Sequence, residues 1–411
     1  MVLKEEFIAE AKRCLNCKHK PCVEACPAHN PIPEFMKKIQ IEDFEGARDL
    51  WHTTSNLPEI CGILCPHESL CEGHCTLEKL NKPLRIGWLE KEIALLFKDK
   101  VDIPLRKINH RHLVIGLGPA GIANALKMAE YGYIVDAIDA DDSLGGAIYK
   151  FVPDFRFNQT ILKNYMTRFK ELQINVQYNT MVGKDIFLED LMKQYDSIFI
   201  SAGLDLPFEV DIEQEDVRIY YAIELLNKEL YQYEDLKNGL GHKIGIIGLG
   251  DVAVDMARTL ARLEKEVHII YRRTLEEAPA TRKEVLQAIS EGVMIHELFG
   301  PISFKKGPQT KILDCDKTCL IKDLKSNRSK VVVLPNEKVQ FELDELIFAT
   351  GQMSSDTVFR GSKLLLDPLK GPYFTNYENI FVGGDRVNEF KRIVDAMVSG
   401  LEVAKIIKGD S

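Results

Sequence analysis

The chain has 411 residues, 28% of them charged and 45% hydrophobic, with a net charge of -9. At about 150 residues per domain, that length predicts two to four domains, and the acidic balance argues against nucleic acid as a partner. No apolar run reaches the roughly 18 residues of a membrane span, and the opening Lys4, Glu5 and Glu6 interrupt any signal-peptide core, so no membrane association and a cytoplasmic location are expected.

Eight of the ten cysteines lie within residues 14–75. Cys14, Cys17, Cys22 and Cys26 are spaced C-x2-C-x4-C-x3-C and followed by Pro27; Cys61, Cys65, Cys71 and Cys75 are spaced C-x3-C-x5-C-x3-C. In a cytoplasmic protein such clusters point to metal rather than to disulfides. Structural zinc is one reading, with His19, His29, His67 and His74 as further ligands. Iron–sulfur clusters are the preferred one, because C-x3-C-P ends a bacterial ferredoxin run, in which that last cysteine serves the other cluster. The x4 gap departs from the x2 of that run, so a plain ferredoxin is not expected. Ile32 and Pro33 open one helix, and 86–97 repeats its apolar residues at helical spacing. A helical head over residues 1–105 would bury little core, so its clusters would supply part of its stability.

Next comes a strand ending in Gly116-x-Gly118-x-x-Gly121, with Pro119 and Ala120 between the glycines and a helix after them. The first glycine makes the tight turn, the second admits a pyrophosphate, and the third lets helix pack on strand. The phosphate would sit at the helix N-terminus, where free N–H groups favour an anion. A second strand ends at Asp139, 23 residues after Gly116, where a carboxylate can bind a ribose hydroxyl. The pattern then repeats. Gly248, Gly250 and Ala253 form the second turn, followed by Asp251 in its helix, and the next strand ends at Tyr271, again 23 residues on. Arg272 and Arg273 follow where the acid stood, which suits the 2'-phosphate of NADP. Arg282 and Lys283 can add to that patch; a solvated basic loop is the alternative.

Each half closes on a buried-strand phrase ending in glycine, Ser197 to Gly203 and Glu345 to Gly351, suited to chain crossings between domains. Near the end, Gly384 and Asp385 precede a helix over 391–408; Asp385 suits the ribityl hydroxyls of a flavin dinucleotide, with a turn or cap residue as the alternative. The expected fold class is α/β: two Rossmann-like domains, the NAD(P) domain inserted into the FAD domain, behind a helical domain with two 4Fe-4S clusters. The expected boundaries are 1–105 for the head, 106–240 and 351–411 for the two FAD parts, and 241–350 for the NAD(P) domain.

The cysteine quartets, the Gly116–Gly121 turn, Gly145-Gly146, Pro153-x-Phe155-Arg156, the run from Gly248 to Asp255, Ala349 to Gln352 and Gly383 to Asp385 together resemble a known family. The chain is similar to the glutamate synthase small subunit and to the N-terminal half of dihydropyrimidine dehydrogenase. In length it resembles the free-standing flavin subunit of the bacterial NAD-dependent dihydropyrimidine enzyme. The resemblance implies that Cys14, Cys17, Cys22 and Cys75 hold one 4Fe-4S cluster, while Cys26, Cys65, Cys71 and Glu90 hold the other. Simple counting would use Cys61 in place of Glu90; the resemblance makes Cys61 a buried structural thiol. It also puts Gly145, Gly146 and the segment reaching Arg156 near the flavin. Three departures stand out: Lys150-Phe151-Val152 precedes Pro153 where a glycine is usual, Asp139 replaces a frequent Glu, and Arg272-Arg273 look like the NADPH-using members rather than the NAD-using subunit.

The function this implies is electron conversion. A nicotinamide gives a hydride, a cluster takes single electrons, and a flavin can do both. FAD, NADP (with NAD possible) and two 4Fe-4S clusters are therefore expected, with no catalytic acid or base. No FMN-barrel or ferredoxin segment follows residue 411, so a separate catalytic subunit in a hetero-oligomer is expected: a dihydropyrimidine dehydrogenase, or alternatively a glutamate synthase large subunit. Two rivals remain. A disulfide reductase needs a cysteine pair, for which Cys315 and Cys319 are the only further candidates, and a non-enzymatic scaffold would bind nucleotide without turnover.

Overall fold

The computed structural model describes residues 2–97, 108–228, 230–323 and 328–409. The expected boundary between head and flavin domain at 105/106 lies outside the described residues. By its contacts the chain divides into two units, one of residues 1–149, 157–204 and 354–411, the other of 150–156 and 205–353.

The first unit begins with the head. Its longer helices are Val2–Lys12, Ile32–Gln40, Phe44–His52, Pro58–Leu64 and Ile86–Leu96. Prolines at the first turns of Ile32–Gln40 and Pro58–Leu64 fix their starts, where a missing N–H costs nothing. Asp43 caps Phe44–His52, its Oδ1 accepting from the Gly46 N–H at 3.0 Å. Phe7, Phe35, Met36, Trp51, Leu89 and Ile93 form the head's core, and Cys71 and Cys75 are part of it. The thiols thus stand at the edge of a packed interior.

Behind the head lies a five-stranded sheet, all parallel, in the order Ile380–Val382, Ser197–Ile200, Arg111–Ile115, Ile134–Ile138, Asn175–Gln177. Its central strands are buried and mostly apolar, as a sheet covered on both faces requires, with His112 and Ser197 the buried polar exceptions. Arg111–Ile115 has crossovers leaving in both directions from its flanks, so its C-terminal end is the crevice where such sheets bind ligands.

The second unit repeats the plan. Its parallel sheet runs Met294–Glu297, Glu266–Tyr271, Lys243–Ile247, Glu345–Phe348, Ile219–Tyr221. A further sheet of Lys330–Leu343, Lys311–Ile321, Phe299–Lys306 and Glu213–Glu215 is attached to it. Residues 205–240, expected with the flavin part, fall in this unit because Ile219–Tyr221 pairs with Glu345–Phe348. The two crossing phrases lead into strands that pair with each other, Leu206–Pro207 against Gln352–Met353. Cys315 and Cys319 lie on the one strand Lys311–Ile321. Four extended residues separate their Cα atoms by about 13 Å, beyond the roughly 7 Å that a disulfide spans. No described helix is long and apolar enough to cross a membrane.

Candidate cofactor sites

Gly116 has φ +91°, and a side chain there would stand 2.5 Å from the Ser201 carbonyl oxygen. A methyl at Gly121 would collide with the Gly116 carbonyl, so these two glycines are required by the turn itself. Gly118 differs: nothing lies within 4 Å of the place its side chain would take. That open face is where a pyrophosphate could approach Pro119, Ala120 and the start of Pro119–Glu130. Gly146 borders it, its missing Cβ only 3.0 Å from the Gly118 Cα, and the Gly145 N–H donates to Leu117 O at 2.8 Å. Asp139 is buried; it accepts from the Leu117 N–H, and from the Asp141 N–H at 2.8 Å, so the shorter acid also braces the turn.

Gly384 comes in from the far end of the chain, its N–H bonded to Ser399 Oγ at 2.8 Å, and packs against Ala120. The Oδ1 of Asp385 is buried without a hydrogen-bond partner, as is Nδ2 of Asn388. Burial pushes the Asp385 carboxyl up to about 6, with Lys391 pulling against it. An orphaned acceptor and an orphaned donor beside a glycine cradle fit a bound flavin's hydroxyls and polar ring edge. Ser399, Asn124 and His112 were not anticipated from sequence. His112 bonds Ser197 and Asn124 Oδ1 at 2.8 Å, and Asn124 Nδ2 donates to Gly400 O at 2.9 Å, tying the glycine-turn helix to Ile393–Lys408. Burial lowers His112 to about 4, so it serves as a neutral brace.

In the second unit Gly248 has φ +119° and its side of the turn is closed by the Ala349 carbonyl, whereas Gly250 is open, its nearest neighbour Pro279 at 3.8 Å. Ala253 is buried. Arg272 is exposed at the end of Glu266–Tyr271. Arg273 is buried and committed: its guanidinium donates to Glu277 at 2.5 Å and to Ser329 O at 2.6 Å. Arg328, which sequence reading missed, reaches Tyr271 Oη at 3.4 Å. Arg156 falls in the second unit. It donates to Asp255 at 2.6 Å and to Asp251 at 3.3 Å, both on Asp251–Arg262, while Phe155 lies beneath Arg258 and Arg262. Burial lifts Asp255 to about 7 even against Arg156.

In the head the cysteines sort into two groups that cross the sequence quartets. Cys75 acts electrostatically on Cys14 and on Cys22, Cys14 acts on Cys22 and Cys17 on Cys14, and Cys17 Sγ lies 3.1 Å from Thr76 Oγ1. Burial raises Cys22 to about 11, with Cys75 and Cys14 adding to it. Cys26, Cys65, Cys71 and Glu90 line one cavity together with Cys61. Burial likewise raises Cys26 to about 11 and lifts Glu90, whose Oε1 accepts from Trp51 Nε1 at 2.8 Å. His67 stands 3.9 Å from the other Glu90 oxygen. All ten cysteines are free thiols, and among the described residues no three Cys, His, Asp or Glu side chains close around a single ion. Thiols and a carboxylate spaced round a cavity fit a cluster, and loading it would release their protons. Trp51 and His67 are 39 and 23 residues from Glu90, too far for spacing to reveal.

The head abuts the flavin part within the first unit. Val394 lines the cavity of Cys26 and Glu90, Asn56 Nδ2 donates to Ala123 O at 2.9 Å, and Tyr165 donates to Glu59.

Residues 110–400 match the family described as pyridine nucleotide-disulphide oxidoreductase. The chain belongs to that family. Residues 1–101 match the 4Fe-4S cluster domain II of dihydropyrimidine dehydrogenase. Among curated relatives, AegA of Escherichia coli, named as an oxidoreductase, is 30% identical over 96% of this chain, and the chain spans 64% of its length. The small chain of E. coli NADPH glutamate synthase is 29% identical, covering 96% of this chain and 89% of its own. The E. coli NAD-dependent dihydropyrimidine dehydrogenase subunit PreT is also 29% identical, covering 97% and 93%. Mycobacterium tuberculosis FprA, solved with NADPH, shares the fold with a TM-score of 0.60 at 16% identity, over 74% of this chain and 85% of its own. The chain thus joins a 4Fe-4S cluster domain to a pyridine nucleotide-disulphide oxidoreductase domain, and it spans about two thirds of the length of the first of these relatives.

Proposed function

We propose that this protein is the electron-input subunit of a larger enzyme, oxidising NADPH (NADH less well) and delivering single electrons to a separate catalytic subunit. The first candidate for that subunit is a dihydropyrimidine dehydrogenase. Bound flavin supplies the change from a hydride pair to single electrons, which iron–sulfur clusters carry. The chain's own residues position these groups. Gly118 leaves room for the FAD pyrophosphate on the turn that Gly116 and Gly121 shape, Gly145, Gly146 and Gly384 border it, and Asp385 accepts from the ribityl chain. Gly248, Gly250 and Ala253 do the same for the nicotinamide nucleotide, and Arg272 meets a 2'-phosphate. Cys14, Cys17, Cys22 and Cys75 hold one cluster; Cys26, Cys65, Cys71 and Glu90 hold the other.

The observation that carries this reading is Val394. It opens the helix Ile393–Lys408, whose Ser399 accepts from the Gly384 N–H, and it lines the cavity of Cys26, Cys65, Cys71 and Glu90, so one helix touches both the expected flavin cradle and the expected cluster cradle. A glutamate synthase large subunit is the second reading for the partner. Exposed Arg272 favours it, because the glutamate synthase relative is named for NADPH and PreT for NAD.

The test is anaerobic purification with iron, sulfide and flavin counted per chain, followed by NADPH and NADH oxidation with ferricyanide. Close to eight irons and one FAD are expected, and Arg272→Ala should raise the KM for NADPH about 10–100-fold, the worth of one charge-assisted pair, without moving that for NADH. A colourless or zinc-loaded protein, or one without turnover, would end the reading. The subunit that co-elutes from native extract decides between pyrimidine and glutamate chemistry.

A further inference from the structure

The two cysteine groups differ in exposure. In one group Cys14, Cys17 and Cys22 are part-exposed and only Cys75 is buried; in the other Cys26 and Cys71 are buried and only Cys65 is part-exposed. Two loops frame the exposed group, held together by Cys17 on Thr76 and by Arg13, whose guanidinium donates to Lys82 O at 2.5 Å and Pro83 O at 3.4 Å. Their composition runs against that of the whole chain. Residues 12–18 and 76–85 carry six cations and a single acid, Glu78, in a protein of net charge -9. Arg13 and Arg85 are answered by Glu10, at 2.6 and 3.5 Å. Lys12, Lys18, Lys79 and Lys82 are exposed and have no ion pair among the described residues. Each loop also presents one apolar side chain to solvent, Leu15 at 58% exposure and Leu80 at 68%.

A rim of lysines without ion pairs among the described residues, with apolar tips, is a surface suited to an acidic protein. Lysines spread round the edge steer an oppositely charged protein, and small apolar contacts at the centre let the two surfaces close without water. Resting on the electron-output role proposed above, we propose that the face around Cys14 and Cys17 is the docking surface for an electron-accepting protein whose own redox centre is ringed by acidic side chains. Lys12, Lys18, Lys79 and Lys82 set the approach, and Leu15 and Leu80 make the contact. Such a pairing is salt-sensitive, because exposed charges are screened beyond about 8 Å at physiological ionic strength.

The experiment uses the full, cluster-loaded protein and an acidic rubredoxin as probe. Its affinity is measured by calorimetry at low and high salt for the parent and for K79E/K82E. Binding should weaken about 10-fold or more with added salt, and similarly in the variant at low salt. NADPH-driven rubredoxin reduction, in which each NADPH reduces two ferric centres and releases one proton, should fall in parallel. Reduction of menadione, a small neutral acceptor, should stay unchanged in the variant. Basic cytochrome c should be reduced faster by the variant than by the parent. If charge reversal lowers the iron content, K79Q/K82Q replaces it, with about half the effect expected. Salt-independent binding, or equal binding by parent and variant, overturns the docking surface while menadione turnover leaves the enzyme reading intact. Absence of NADPH oxidation with menadione removes both.

Discussion

Asp385 carries an energetic penalty that a ligand is placed to relieve. Its Oδ1 is buried and unbonded, and burial holds its carboxyl at about 6 instead of 3.8. The native state therefore binds this proton more tightly than the unfolded chain does. The flavin-free fold loses stability as pH rises from about 4 to 6, and above that range the loss is complete. Asp385→Asn removes the charge, so at pH 7 the flavin-free variant should be more stable than the parent by about 1–3 kcal/mol, with the difference vanishing near pH 4. Its FAD affinity should nevertheless drop about 10–100-fold, since a charged acceptor is lost. Melts at two pH values and a flavin titration check both; a variant that is less stable at pH 7 contradicts the account. The residues themselves were unevenly legible. Cysteines announce themselves by spacing, but Glu90 came only from a resemblance, because nothing near it in sequence shows that Ile86–Leu96 turns it toward Cys26 and Cys65. The Arg272-Arg273 pair reads as one patch, yet Glu277 and Ser329 claim Arg273, a tertiary event that composition does not encode.

The strand–turn–helix elements were the most readable part of the chain, because their glycines have two distinct duties that local sequence exposes together. Gly121 is needed for packing against Gly116, and Gly118 only for approach of a ligand. Alanine separates the two. Gly118 has φ -70°, so Gly118→Ala should leave the flavin-free protein's melting temperature within about 2 °C of the parent, as a strain-free surface change does, while abolishing detectable FAD binding. Gly121→Ala should destabilise by several kcal/mol or prevent folding, since strand and helix must separate to admit the methyl. Equal destabilisation by both would mean that Gly118 serves the fold and not a phosphate. The element left unread was 150–156. Its Arg156 meets Asp255 and Asp251, and its Asp154 meets Lys228 at 2.6 Å, all within the second unit. Those partners are 74 to 99 residues away, beyond the reach of any periodic pattern.

At the scale of the molecule, the internal repeat was visible as two fingerprints at matching offsets, and two five-stranded parallel sheets answer to it. Less visible was how the head is joined to the flavin part, since that depends on polar contacts inside the first unit rather than on a motif. Tyr165, on Thr160–Glu171, is wholly buried and donates to Glu59 on Pro58–Leu64; Arg168 of the same helix reaches Asn56 O at 3.4 Å. The proposed electron transfer needs such a join to be stiff, because transfer rates depend on a fixed separation, and a buried hydrogen bond is more specific in geometry than an apolar contact. Tyr165→Phe keeps the ring and removes only the donor, leaving the Glu59 carboxylate short of one hydrogen bond in a site 7% exposed. The cost should be about 1–3 kcal/mol, the penalty for one unsatisfied buried acceptor. Hydrogen exchange should locate it, with faster exchange in Pro58–Leu64 and Thr160–Glu171 and no change in Glu345–Phe348 of the second unit. If exchange rose equally throughout, or not at all in Pro58–Leu64, the hydroxyl would not be what holds the head to the flavin part.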